Sequence, residues 1–83
     1  MQGIIVAVNR NIGVVVVETS VHKCVVLETK GRITLNIGEE LAGDWDMPGE
    51  IIVHNLANGD EIRAEVHKIN VSRSEAVGSM SFF

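Results

Sequence analysis

Residues 1–19, MQGIIVAVNRNIGVVVVET, decide the fold of this chain. Two runs dense in Val and Ile, residues 3–9 and 14–19, are separated by the short segment Arg-Asn-Ile-Gly. β-Branched side chains favour extended strands, and a short polar segment that ends in glycine is typical of a turn between two of them. The stretch therefore predicts an antiparallel hairpin at the start of the chain.

Further short strands are predicted along the rest of the chain. Residues 23–29 form a third apolar run, and residues 62–71 begin with an alternation of apolar and polar side chains that is typical of a half-buried strand. The pair Asn58-Gly59 predicts a tight turn before that strand, since both residues tolerate positive φ. Two other candidate strands are residues 32–35 and 51–56.

The strand pattern predicts an all-β fold with one long connection around residues 36–49. That segment contains three glycines and the only proline, and we expect one helical turn within it at Glu-Glu-Leu-Ala, residues 39–42. Five strands, or six with the extra candidate, favour a small closed barrel, which leaves no unpaired sheet edge. The 83 residues suffice for one such domain, residues 1–73, and a C-terminal tail, residues 74–83.

The opening stretch resembles the start of the cold-shock domain, a five-stranded OB-fold barrel. Met1, Gly3, Asn9 and Gly13 match that family's pattern without a gap. Residues 58–73, NGDEIRAEVHKINVSR, are similar to a strand motif of RNA-binding OB repeats. The resemblance implies an OB-like barrel, and in the cold-shock family such a barrel stacks single-stranded nucleic acid on aromatic rings, with lysines at the phosphates.

The chain departs from the family at the positions that would bind nucleic acid. No aromatic ring remains at the family's stacking positions: most of them, and both lysine positions, carry an aliphatic residue or alanine, while Glu28 replaces a histidine and Thr29 a phenylalanine. Alternate residues of a barrel strand point to opposite sides. The resemblance then implies that Val15 and Val17 fill the core while the replaced positions that carry an aliphatic residue or alanine point outward. We call the outward set the aliphatic face, which comprises Val6, Ala7, Ile12, Val14, Val16 and Val26.

An aliphatic face of this size needs a cover, because soluble monomers rarely expose large contiguous apolar patches. The candidates are Phe82 and Phe83 of the tail folding back, a second copy of the chain, or a partner protein. An equally weighted alternative is that the first strands are buried on both sides by the chain's own long connection, since continuous apolar runs often indicate two-sided burial.

The charge distribution disfavours nonspecific attraction to phosphates. The net charge is −4, and five acidic residues lie between positions 39 and 50, where there is no Lys or Arg. Nucleic acid could still bind at a local basic patch, which is the alternative. Trp45 could be an exposed contact beside that patch, but the preferred interpretation is that its ring caps one end of the barrel. The candidate nucleic-acid contacts are therefore Arg10, Lys23, Lys30, Arg32 and Trp45.

No arrangement of residues predicts catalysis, a metal site or a cofactor. His22 and Cys24 share one side of a strand but lack a third member, and the acidic segment has the wrong spacing for a calcium loop. His54 and His67 lie on different predicted strands, and no nucleophile is predicted beside either. The lone cysteine favours a reducing compartment, and neither a signal peptide nor a membrane span is recognisable, so we expect a cytoplasmic protein.

The sequence thus predicts a non-enzymatic OB-like binding module. We expect it to bind a partner protein or a second copy through the aliphatic face. The alternative is a single-stranded RNA or DNA binder that uses the local basic patch, an expectation that rests on analogy with other OB-folds. No small-molecule substrate and no membrane partner is indicated.

Overall fold

The computed structural model describes residues 1–31 and 33–80, which form a closed all-β barrel with one short helix. All neighbouring strands are antiparallel, and their order around the barrel is β1-β2-β3-β6-β5-β4. The all-β, OB-like barrel predicted from the sequence is confirmed, with six strands. The elements are β1 (Gln2–Asn9), β2 (Val14–Thr19), β3 (Cys24–Thr29), β4 (Glu40–Ala42), β5 (Gly49–Asn55), β6 (Glu61–Val71) and α1 (Arg73–Ser79).

The barrel consists of two three-stranded meanders, β1-β2-β3 and β4-β5-β6, joined where β3 pairs with β6 and β1 pairs with β4. The helical turn predicted at residues 39–42 is wrong, because Leu41 pairs with Gly3 on one side and with Asn55 on the other. The extra strand predicted at residues 32–35 is also absent from residues 33–35, while its first residue, Arg32, lies outside the described residues.

Glycines close the two tight turns that the sequence predicts. The β1–β2 turn ends at Gly13, which has φ 74° and donates its N–H to the Asn9 carbonyl at 3.0 Å. In the β5–β6 turn only Gly59 of the Asn58-Gly59 pair adopts a positive φ, 81°, and it donates to the Asn55 carbonyl at 2.7 Å. In each turn the left-handed conformation is therefore adopted by glycine, which has no Cβ and so meets no steric penalty there.

The barrel interior is filled by alternate aliphatic residues, as the strand parity predicts. Val15 and Val17 point inward and are fully buried. Trp45, which precedes β5, is 2% exposed and packs in the same cluster, so its ring belongs to the interior. The other buried members of this cluster are Ile5, Val25, Leu27, Leu35, Leu41, Val53, Ala64 and Val66.

Two irregularities interrupt the register of β6 on β3 before the C-terminal helix. Adjacent residues of β3 pair with Lys68 and Val66 of β6, so one extra β6 residue is inserted between those partners. A second register shift precedes Val71, and Asn70 there adopts a left-handed φ of 56°. Asparagine tolerates this conformation better than most residues.

Helix α1 forms within the region predicted to be a tail. Its N-cap is Ser72, whose hydroxyl accepts a hydrogen bond from the Glu75 N–H at 3.2 Å. The helix packs against β2, β3 and β6 on the outside of the barrel. Across residues 1–31 and 33–80, no helix has the length and apolar character needed to cross a membrane.

Candidate functional site

The aliphatic face points away from the barrel interior, but most of it is covered. Val14, Val16 and Val26 are each 0% exposed, although they lie on the opposite side of the strands from the interior residues. They form a second apolar cluster with Cys24 and with two residues of the C-terminal region. Val6, Ala7 and Ile12 pack at its margin and are partly buried.

Among the described residues, the cover is α1 together with Met80, which follows it; Phe82 and Phe83, the predicted cover from the tail, lie outside the described residues. Ala76 and Met80, four positions apart and therefore on one side of the helix, pack on the valines and are 0% and 7% exposed. Val77 lies beside Ala76 in sequence but is 43% exposed. Because an isolated seven-residue helix is unstable in water, α1 depends on the aliphatic face for its own formation.

The start of α1 is fixed by a polar contact with β2. Arg73 Nη2 lies 2.6 Å from Glu18 Oε1, in a pair that is partly open to solvent. Beside this pair runs a groove of about 550 Å³, and its lining includes Ile4, Val6 and Thr19. Ile4 is 48% exposed, so the apolar surface of β1 continues past the edge of the helix.

Cys24 lies beneath α1 and is fully buried. Burial raises the pKa of its thiol, the negative charge of Glu18 raises it further, and the positive charge of Arg73 acts in the opposite direction. His22, by contrast, is exposed in the β2–β3 turn with φ 61°. The exposed imidazole and the buried thiol therefore occupy different environments, and thiolate chemistry is suppressed at Cys24.

The candidate nucleic-acid contacts do not form one basic surface. Arg10 donates to the Leu35 carbonyl and to Asn36 Oδ1, both at 2.9 Å, and thereby fastens the β3–β4 connection. Lys30 pairs with Glu65, with Nζ 3.2 Å from Oε1.

Two further members of that set, Lys23 and Trp45, do not extend a basic surface from Arg10 and Lys30. Lys23 precedes β3 and Lys30 follows it, so the strand separates them by about 20 Å. The buried ring of Trp45 offers no stacking surface to a base. Arg32 lies outside the described residues. The described members of this contact set therefore do not form one continuous basic surface.

A polar cluster that sequence reasoning missed lies on the outer side of β3 and β6. His67 Nε2 is 2.8 Å from Glu28 Oε1, and one ligand-type atom from each of Glu28, Glu65 and His67 lies within 4.8 Å of the other two. His54 lies elsewhere, beside Glu61 with its Nδ1 3.6 Å from Oε2. Only the register of β3 on β6 brings the first three residues together, so spacing along the chain gave no signal of the cluster.

The comparisons with known proteins give no relative: no family model matches the chain, and neither a curated protein nor a solved structure matches it.

Proposed function

We propose that this chain is a non-enzymatic binding module, a cold-shock-like OB-fold whose aliphatic face binds a short apolar helix of a protein. In the free chain α1 occupies that face. The observation that carries the proposal is the complete burial of Val14, Val16 and Val26 beneath a helix of seven residues. Placing an amphipathic helix in an apolar groove is a recurring mode of protein recognition.

The chemistry of the face favours protein over nucleic acid. Its members carry methyl groups where the cold-shock family has aromatic rings and lysines, so neither base stacking nor phosphate pairing is available there. Arg10 and Lys30 already contact acceptors within the chain. The net charge of −4 opposes nonspecific attraction to a polyanion.

The dimensions of the cover favour an exchangeable helix. Within the described part of the C-terminal region, the fully or nearly buried apolar side chains of the helical cover are those of Ala76 and Met80. Full burial of one large apolar side chain is worth about 1.5–3 kcal/mol. Helix α1 therefore releases far more easily than a barrel strand unfolds. A helix with a longer apolar stripe, from a partner or from a second copy, binds the same valines with more contact area.

The single cysteine gives a direct measurement of helix release. Cys24 is buried beneath α1, so a thiol reagent modifies it rapidly only when the helix leaves. We expect Ala76→Asp to accelerate modification of Cys24 by at least tenfold, because the substitution places a charge against the valines. The matched control is Val77→Asp, which adds the same charge at the neighbouring exposed position and leaves the rate within about twofold.

Binding is then tested in trans on the opened chain. A synthetic peptide with the sequence of residues 71–80 is expected to slow modification of Cys24 in the Ala76→Asp chain, whereas the same peptide carrying Asp at position 76 has no effect. Circular dichroism confirms that the barrel of the variant is folded. Failure of the wild-type peptide to protect Cys24 at millimolar concentration would refute a helix-binding face.

The nucleic-acid alternative has its own readout. If mixed-sequence single-stranded oligonucleotides bound the wild-type chain at micromolar concentration in low salt, and the affinity fell steeply as salt rose, the assignment would pass to nucleic acid. We expect no such binding.

A further inference from the structure

Three carboxylates lie side by side across the outer surface of β3, β6 and β5. Glu65 of β6 is directly opposite Glu28 of β3 and directly opposite Glu50 of β5. Like charges in directly opposed cross-strand positions destabilise a sheet. A row of three such groups therefore requires positive charge nearby.

His67 is brought to this row by the first irregularity of β6. Leu27 pairs with Val66 while its neighbour Val26 pairs with Lys68, so His67 is the inserted residue. Such β-bulges re-aim side chains and often lie beside functional sites. His67 Nε2 lies 2.8 Å from Glu28 Oε1.

The resulting cluster combines an imidazole with two carboxylates at the distances of a preformed ligand set. One ligand-type atom from each of Glu28, Glu65 and His67 lies within 4.8 Å of the other two. Ligand atoms about 2.1 Å from a tetrahedral ion lie about 3.4 Å from one another. The side chains of Glu28 and Glu65 are each 38% exposed, so small rotations suffice to bring their oxygens to that spacing.

We propose that Glu28, Glu65 and His67 form a binding site for a divalent transition-metal ion of the zinc type, with water completing the coordination. Imidazole nitrogen combined with carboxylate oxygen suits Zn²⁺ and its neighbours in the first transition row, whereas Mg²⁺ and Ca²⁺ prefer oxygen ligands alone. Glu50 stands next to Glu65 in register and contributes further negative charge to the site. The site lies on β3 and β6, two of the strands that α1 also contacts, but none of its residues belongs to the aliphatic face, and it does not depend on the helix-binding proposal.

Lys30 competes with the metal for one of these ligands. Its Nζ lies 3.2 Å from Glu65 Oε1, and the two side chains are 43% and 38% exposed. The ammonium group holds part of the negative charge of Glu65 and repels a cation that binds to the same carboxylate. The removal of Lys30 is therefore expected to strengthen metal binding. If the cluster were only a structural ion-pair network, the same removal would take away a stabilising partner and would not raise the affinity for a metal ion.

Isothermal titration calorimetry of the full chain with zinc chloride, in a buffer that does not chelate zinc, tests the site. We expect one ion per chain, an affinity at least tenfold lower in Glu65→Gln and in His67→Asn, and no comparable binding of Mg²⁺. The matched control is His54→Asn, which removes an imidazole that faces the single carboxylate of Glu61 and leaves the affinity within twofold. Thermal melts of each variant verify that the barrel is intact.

The direction in which Lys30→Met changes the affinity for Zn²⁺ distinguishes a metal site from a simple ion-pair network. We expect this variant to bind Zn²⁺ about threefold to tenfold more tightly than the wild type. Absence of a one-to-one binding event would overturn the proposal, as would equal losses of affinity in His67→Asn and His54→Asn. Binding that is unchanged in Glu65→Gln and Lys30→Met would identify an adventitious surface ion.

Discussion

The interior of the barrel and the aliphatic face are both built from valines that alternate along the same strands. Val15 and Val17 point inward, while Val14 and Val16 point outward, and all four are 0% exposed. The composition and the degree of burial of the two layers are therefore the same on β2. They differ in what closes them.

The interior is enclosed by hydrogen-bonded strands, whereas within residues 1–31 and 33–80 the aliphatic face is covered by the short helix α1 and by Met80. Removing the cover of the interior requires the whole barrel to open. Removing the cover of the face requires only that α1 detach, after which the helix also loses its structure. The two layers are thus equally buried, but the interior is exposed only by global unfolding, whereas the aliphatic face is exposed by local detachment of α1.

Truncation of neighbouring valines tests this difference most strongly. We expect Val17→Ala to lower the free energy of unfolding by about 2–3 kcal/mol, since it removes two buried methyl groups from a layer that cannot collapse around the cavity. Val16→Ala removes the same two groups, but α1 can shift or detach in response. We therefore expect a smaller loss of global stability and a several-fold faster modification of Cys24.

The measurements are urea unfolding followed by Trp45 fluorescence, which reports on the interior, and thiol modification, which reports on the face. The distinction between the two layers fails if Val16→Ala and Val17→Ala have the same effect on both measurements. A reversed order, with faster thiol modification in Val17→Ala, would show that the face is held by the barrel and not by the helix.

The burial of Cys24 predicts that the covered face weakens at alkaline pH. Its pKa is raised in the folded chain, so the folded state favours the neutral thiol. This contribution is complete below the ordinary thiol pKa of about 8.5 and is lost as the pH rises through the folded value, by at most about 1.4 kcal/mol per pH unit. We expect the wild type to lose more unfolding free energy between pH 7 and pH 10 than Cys24→Ala does.

Urea unfolding of both chains at the two pH values provides the measurement. Other groups titrate in this interval, but they are common to both chains and cancel in the comparison. Equal losses in the wild type and in Cys24→Ala would contradict a buried thiol beneath a closed helix.

A strand alternates its side chains with a period of two, which separates the residues of the first hairpin into two sets. The resemblance of residues 1–17 to the cold-shock pattern indicated which set faces inward. The sequence did not predict strand β4, because Glu40–Ala42 has no strand pattern of its own and is held extended by its pairing with β1 and β5. The register that unites Glu28 with Glu65 is likewise a property of tertiary pairing.

Helix α1 did leave a signal in the sequence. Ser72 and Glu75 have the Ser-x-x-Glu spacing of a helix start, and Ala76 and Met80 are four residues apart, as one side of a helix requires. The segment is short and contains Gly78, which lowers helix propensity, so intrinsic preference does not by itself indicate a helix. The aliphatic face provides the remaining stabilisation.

The smallest expected effect concerns the ion pair between Arg73 and Glu18, which fixes the start of the helical cover. Partly exposed pairs contribute about 0.2–1 kcal/mol, so Arg73→Gln should accelerate thiol modification of Cys24 about 1.4-fold to fivefold. Loss of the Arg73 charge by itself raises the pKa of Cys24 and slows its reaction, so acceleration must come from helix release. The charge-matched control is Lys23→Gln, which removes an exposed cation from the β2–β3 turn. An equal rate of thiol modification in the two variants would contradict a role of the Arg73–Glu18 pair in holding the helix.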